Sequence, residues 1–150
     1  MHFEIKPLTA KEIEGTVRMW RRSRDEVQPE IEARMGYSAA DDFGFFTGVL
    51  MRNCAIWLAL HESQPIGMLA MSGNMIEQLY VDPKCQGHGI GSALIERAKH
   101  DSPDGLELKT HLSNIRARRF YENHAFSATA FGVSPAPESE KDVTYVWSAI

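Results

Sequence analysis

Cysteine is nearly missing from this 150-residue chain: Cys54 and Cys85 are the only two, too few for a disulfide framework or a zinc site. Long apolar runs are missing too, and none approaches the ~20 residues that a membrane-spanning helix needs. The N-terminus, Met1-His2-Phe3-Glu4-Ile5, lacks the basic segment and apolar core of a signal peptide. There is no surplus of basic charge. Sixteen lysines and arginines face 20 aspartates and glutamates, a net charge of −4 that argues against a nucleic-acid partner. No internal repeat and no low-complexity tract interrupts the chain. What remains is ordinary globular composition, 43% hydrophobic and 24% charged. The expectation is a single cytoplasmic domain over residues 1–150 with neither a membrane nor a nucleic-acid partner, long enough to bury a core.

Periodicity predicts the element order β-α-α-β-β-β-α-β-α-β-β. Phe3 to Lys6 reads as a short strand ended by Pro7. Thr9 and Glu12 have capping-box spacing before a helix to about Arg24, whose buried face carries Ile13, Val17 and Trp20. Gln28 to Tyr37, charged and broken by Pro29 and Gly36, reads as a mobile connection. Ser38 caps a second helix to about Arg52, although Gly44 and Gly48 weaken it. Cys54 to Leu60 and Pro65 to Ser72 form a hairpin around His61-Glu62-Ser63-Gln64. The apolar run Cys54 to Leu60 places Cys54 in the core, whereas Cys85 reads as partly exposed and without a basic partner that would make it a nucleophile. Met75 to Val81 is a strand stopped by Asp82-Pro83, and Ile90 to about His100 is a helix. Then come a strand at Leu106 to Thr110, a helix from about Asn114 to His124, and strands at Phe126 to Val133 and Val143 to Ala149. Strands mixed with helices on both faces give an α/β or α+β sandwich, and an exposed edge strand in it can support a homodimer.

The stretch Gln86-Gly87-His88-Gly89-Ile90-Gly91 joins strand to helix. Alternating glycines let the backbone turn sharply and aim its N–H groups at one point, where the positive end of the helix adds to them. That is a pocket for a phosphate or pyrophosphate. It is not a P-loop, because Gly91 is followed by Ser92 with no lysine in place. It is not the dinucleotide fingerprint either, since it spells G-x-G-x-G and lies mid-chain. A second pattern follows one strand later. Asn114, Ala117 and Tyr121 share one helix face, with the small Ala117 leaving room between an amide and a phenol.

The spelling Q-x-x-G-x-G at Gln86, Gly89 and Gly91 resembles the pyrophosphate loop of the GNAT superfamily of acyl-CoA-dependent N-acyltransferases. Asn114 to Phe126 is similar to the family pattern N-x-x-A-x-x-F/L-Y-x-x-x-G-F, with Ala125 in place of the glycine. The resemblance covers about residues 54 to 130. It implies a mixed, mostly antiparallel central sheet of six to seven strands flanked by about four helices, in which the fourth strand splays from the fifth and admits acetyl-CoA as co-substrate. Gln86, Gly87, His88, Gly89, Ile90, Gly91 and Ser92 then hold the pyrophosphate, His88 through its backbone. The backbones of Leu79, Tyr80 and Val81 orient the pantetheine arm and thioester, and a backbone N–H near Val81 is the oxyanion donor. Asn114 and Ala117 line the arm. Ala125 stands where a helix C-cap favours glycine.

Acyl transfer to an amine also needs proton transfers. A thiol of pKa about 8.5 and a phenol of pKa about 10 are matched closely enough for Tyr121, at the family tyrosine position, to protonate the departing thiolate. Glu77 is the leading base for the incoming amine, since strict alternation along the strand sets it beside Leu79 and Val81. His111 is the second candidate. Arg116, Arg118 and Arg119 can pair with phosphates or form a solvated face; Arg18, Arg21, Arg22 and Arg24 can recognise an acidic acceptor or do the same. The resemblance therefore implies an acetyl-CoA-dependent N-acetyltransferase working by direct attack in a ternary complex. Its acceptor is a small-molecule amine, a protein N-terminus or a lysine. The rival is a CoA-binding regulatory module without turnover.

Overall fold

The computed structural model describes residues 1–149. Seven strands form one sheet in the order β1-β2-β3-β4-β5-β7-β6. They are β1 (Glu4–Pro7), β2 (Ala55–His61), β3 (Gln64–Ser72), β4 (Met75–Val81), β5 (Leu106–His111), β6 (Ser127–Val133) and β7 (Lys141–Trp147). All neighbours are antiparallel except β4 and β5. The helices are α1 (Ile13–Val27), α2 (Pro29–Met35), α3 (Ala39–Phe45), α4 (Met51–Asn53), α5 (Ile90–Asp101) and α6 (Ile115–Asn123). This is the expected mixed, mostly antiparallel sheet, with one helix more than expected between β1 and β2.

That extra helix is α2, which occupies the stretch expected to be a mobile connection. Pro29 and Gly36 suggested a break, but they are its start and stop signals. Pro29 sits in the first turn, where a missing N–H costs nothing, and Gly36 takes a left-handed φ of +67° just after the end. The second expected helix starts as predicted: the Ser38 hydroxyl accepts from Asp41 N–H (3.0 Å), and the Asp41 carboxylate accepts from Ser38 N–H (2.9 Å). It runs to Asn53 as α3, one π-turn (Phe46–Leu50) and α4. The hairpin between β2 and β3 closes on Glu62 and Ser63, both at positive φ, as a two-residue hairpin loop requires. The last strand lies two residues earlier than the apolar run suggested.

Two cores sandwich the sheet. Val17, Met19 and Trp20 of α1, with Phe46 and Leu50, cover Ile56, Leu58, Met68 and Ala70 on one face. Ile90, Leu94 and Ile95 of α5, with Tyr121 of α6, cover Leu69, Met71, Ile76 and Leu108 on the other. Being covered on both faces, β3 is almost wholly buried and reads as a continuous apolar run. A Cβ on its Gly67 would lie 2.9 Å from Ile90 Cγ2, so the bare glycine lets α5 settle onto the sheet. At the far edge every residue of β6 is exposed.

β4 carries the irregularity that shapes the site. Ala70 pairs with Gln78 but Met71 pairs with Ile76, which leaves Glu77 as an extra, unpaired residue. Ile76, Leu79 and Val81 all join the α5-side core, which strict alternation would forbid. The expectation that Glu77 shares a face with Leu79 and Val81 is therefore wrong: a bulge resets the alternation at Glu77 itself. A bulge also bends and twists its strand. β4 and β5 stay paired only at Met75–Glu107 and Ile76–Leu108, then part.

Candidate active site

The parting of β4 from β5 opens a cavity of about 390 Å³ on the α5–α6 side. A second cavity, of about 820 Å³, opens on the α1–α3 side. They share a wall made of Glu77, Gln78 and Tyr80 from β4, Lys109 and Thr110 from β5, and Asn114. One compartment therefore meets another through the split in the sheet.

The first compartment is floored by the glycine loop. Asp82 ends β4 by accepting from Lys84 N–H (3.1 Å), which sets the turn Pro83–Cys85. Gly87 (φ +82°) and Gly89 (φ +78°) then take left-handed conformations that side chains resist. The first bond inside α5 runs from Ala93 N–H to Gly89 C=O (3.0 Å). The N–H groups of Ile90, Gly91 and Ser92 therefore have no helical partner, and all three residues border the cavity. Gly91 has a different reason to lack a side chain: its Cβ would sit 3.1 Å from the Phe120 ring, so it permits close contact between α5 and α6. Free amides at the positive end of a twelve-residue helix suit a pyrophosphate. Leu79, Tyr80, Val81, Gln86, Gly87, Gly89, Asn114, Ala117 and Tyr121 border the same cavity. His88 does not; it is exposed, because the left-handed glycines on either side turn it to solvent.

Several polar groups here are already engaged. The Gln86 amide donates to Val81 C=O (3.3 Å), and its oxygen accepts from Arg116 (2.6 Å), which ties the loop to β4 and α6. Asn114 caps α6 by accepting from Ala117 N–H (3.1 Å), so only its amide NH₂ remains for a ligand. Tyr121 is buried, and desolvation, reinforced by nearby Tyr80, holds its hydroxyl well above the usual phenol range. Burial also pushes Tyr80 up to about 12, against the pull of Arg24. Cys85 is buried rather than partly exposed, and burial raises its thiol. Cys54 is half-buried, its thiol raised by burial and then by Glu77. Neither suits a nucleophile.

The second compartment is lined by six carboxylate residues (Glu32, Asp41, Asp42, Glu77, Glu138 and Asp142) against two cationic ones, Arg24 and Lys109, with Arg21 reaching Asp42 from outside the lining. Trp20, Tyr37 and Phe45 supply an aromatic wall. The arginines of α1 do not offer free charge for an acidic acceptor. Arg21 pairs with Asp42, Arg22 with Asp82 (2.7 Å), and Arg24 with both Glu32 and Asp42; among the described arginines of α1 only Arg18 has no carboxylate partner, and it faces solvent. Of the α6 arginines, Arg118 is structural, donating to the Tyr145 hydroxyl (3.1 Å) and Leu112 C=O (3.2 Å), and Arg119 is exposed. Arg116 alone borders the first cavity. His111 borders the second, with Nε2 3.1 Å from Glu138. Glu138, brought in from the loop after β6, was missed in the sequence because nothing local ties it to β5. Among the described residues no group of His, Cys, Asp and Glu could hold a metal ion, and no helix is long and apolar enough to cross a membrane.

Residues 52–128 match the family model described as Acetyltransferase (GNAT) domain. The chain is 28% identical over 130 residues to the peptidyl-lysine N-acetyltransferase YjaB of Escherichia coli K12, covering 86% of this chain and 85% of that one. The solution structure of apo YjaB from Escherichia coli superposes with a TM-score of 0.75 at 25% identity over 98% of both chains. A putative streptothricin acetyltransferase from Bacillus anthracis, crystallised with acetyl coenzyme A, superposes with a TM-score of 0.58 at 27% identity, covering 64% of this chain and 62% of that one.

Proposed function

The chain belongs to the GNAT acetyltransferase family and is an acyltransferase that uses acetyl-CoA as co-substrate; on that premise we propose that it acetylates a primary amine that arrives as a cation through the second cavity. One observation carries this reading: two compartments meet through the β4–β5 split, the first lined by free helix amides and the second by carboxylates. Acetyl-CoA supplies the activated acyl group, its pyrophosphate facing the amides of Ile90, Gly91 and Ser92. The backbones of Leu79, Tyr80 and Val81 orient the arm, beside Asn114 and Ala117. A backbone N–H near Val81 steadies the thioester oxygen as it gains charge.

Glu77, on the bulge and in the wall of both compartments, draws in the ammonium and takes a proton from the attacking nitrogen. Tyr121 gives its proton to the departing sulfur. Burial keeps that hydroxyl protonated across the working range, but it also widens the gap to the thiol beyond the close match expected from free values. The sulfur must therefore be protonated as its charge develops next to the hydroxyl. Cys85 borders the first cavity, but burial raises its thiol and that of Cys54 and keeps both protonated, which supports direct attack of the amine.

The large, acidic second cavity supports a free small-molecule amine as acceptor. A lysine side chain of a peptide is the second reading, favoured by the resemblance to a relative named as a peptidyl-lysine N-acetyltransferase. A panel of alkylamines, lysine peptides and acidic amino acids, scored by release of CoA thiol, tests the proposal. Cationic amines should turn over and acidic ones should not. If acetyl-CoA raises Tm but no amine releases thiol, the chain is a binding module instead.

A further inference from the structure

The acceptor nitrogen must shed two protons, and one carboxylate at the junction handles only one of them. It enters as an ammonium of pKa about 10.4, whereas a carboxylate has a pKa of about 4.3 and an imidazole about 6.5. On those values an imidazole is about 100-fold the better resting place for the first proton. An imidazole stands in the wall of the second cavity. His111, at the end of β5, has Nε2 3.1 Å from the Glu138 carboxylate and is mostly buried. A carboxylate on Nε2 keeps the proton there and leaves Nδ1 as the accepting nitrogen.

Glu138 is held for this position. The loop after β6 is closed at its base, where Ser134 N–H donates to Glu140 C=O (2.8 Å) and Glu140 N–H donates to the Ser134 hydroxyl (2.9 Å). At its tip Arg34 of α2 donates to Pro137 C=O (3.2 Å), Glu138 C=O (2.8 Å) and the Glu140 carboxylate (2.7 Å). The other charges around His111 are Asp142, opposite it in register on β7, Lys109 on its own strand, and Glu77 across the cavity. Further along the wall, Arg24 is already cancelled by Glu32 and Asp42.

Resting on the proposed transfer to an amine, we propose that His111 is the base that takes the first proton from the acceptor ammonium, and that Glu138 is its positioning residue. An N–H bond of the ammonium breaks and its proton binds His111 Nδ1, giving an imidazolium facing Glu138. As the C–N bond forms and the C–S bond breaks, the nitrogen loses its second proton to Glu77, and Tyr121 protonates the sulfur. Glu77 returns its proton to Tyr121 by way of solvent, His111 releases its own to bulk water, and one proton leaves per turnover.

The test pairs Glu138→Gln, Glu138→Asp and His111→Gln with the native protein. Glu138→Gln leaves a neutral amide on Nε2 that no longer fixes the tautomer. It should lower kcat/KM for the amine about tenfold, and Glu138→Asp should restore it. His111→Gln should cost about 100-fold in kcat/KM for the amine. Acetyl-CoA affinity should not change in any variant. A readout independent of turnover is the pair of His111 ring-nitrogen resonances, which should report a single Nε2–H tautomer in the native protein and a mixture in Glu138→Gln. Native-like kcat/KM and a single tautomer in Glu138→Gln would overturn the pairing. Native protein that turns over no amine would sink the proposed function, and this role with it.

Discussion

Replacing Ala125 with glycine should stabilise the protein, although it removes a methyl group and loosens the unfolded chain. Ala125 follows α6 at φ +70°, in the left-handed region, with its N–H bonded to Glu122 C=O at 3.2 Å. A Cβ in that region costs about 1–2 kcal/mol, and glycine escapes the penalty. Against this, glycine gives the unfolded chain extra freedom worth about 0.5–1 kcal/mol. Because Ala125 is exposed, the lost methyl takes no packing with it. The balance is a gain of about 0.5–1 kcal/mol, since the steric term exceeds the entropic one. At this chain length that amounts to about 1–4 °C in Tm. Scanning calorimetry and urea denaturation would measure it, the latter with an unchanged m-value. An Ala125→Gly variant no more stable than the native protein would refute the strain assigned to this turn.

Two further perturbations test the chemistry. Tyr121→Phe removes only a hydroxyl and should lower kcat about 100-fold while leaving acetyl-CoA affinity intact; unchanged kcat would release Tyr121 from its role. Since burial raises its pKa, the protonated, active form of Tyr121 is the one populated below that raised value, so its ionisation should produce no alkaline loss of activity up to pH about 10. Glu77→Gln should reduce kcat/KM for the amine by at least about tenfold, with KM for acetyl-CoA unaltered. A native-like kcat/KM would leave proton removal to His111 and water.

Much of the site was legible because its chemistry is local. Gly87 and Gly89 stand where positive φ is needed, and the unpaired amides follow in the next turn, so a few consecutive residues define the proposed pyrophosphate cradle. Asn114 to Tyr121 was legible for the same reason: helical spacing alone puts those residues on one face. Glu77 was assigned to the candidate site for a partly wrong reason. A period-two reading has no way to announce a bulge, and the bulge is what moves Glu77 to the wall of both cavities. The segment Pro29–Met35 was misread because the same proline and glycine that break a helix in its middle delimit one at its ends.

Long-range electrostatics was not legible at all. The run of arginines on α1 looked like a basic face until Asp42, Glu32 and Asp82 arrived from elsewhere to cancel it, leaving carboxylates in excess around the second cavity. The pairing of His111 with Glu138, 27 residues apart, likewise depends on a loop folded back by Arg34. The sequence by itself determined the family and the donor, because backbone conformation and helix-face spacing are written in neighbouring residues. Only the tertiary structure decided the sign of the second cavity and the partners of its charges, because those depend on which distant side chains the fold brings within hydrogen-bonding range.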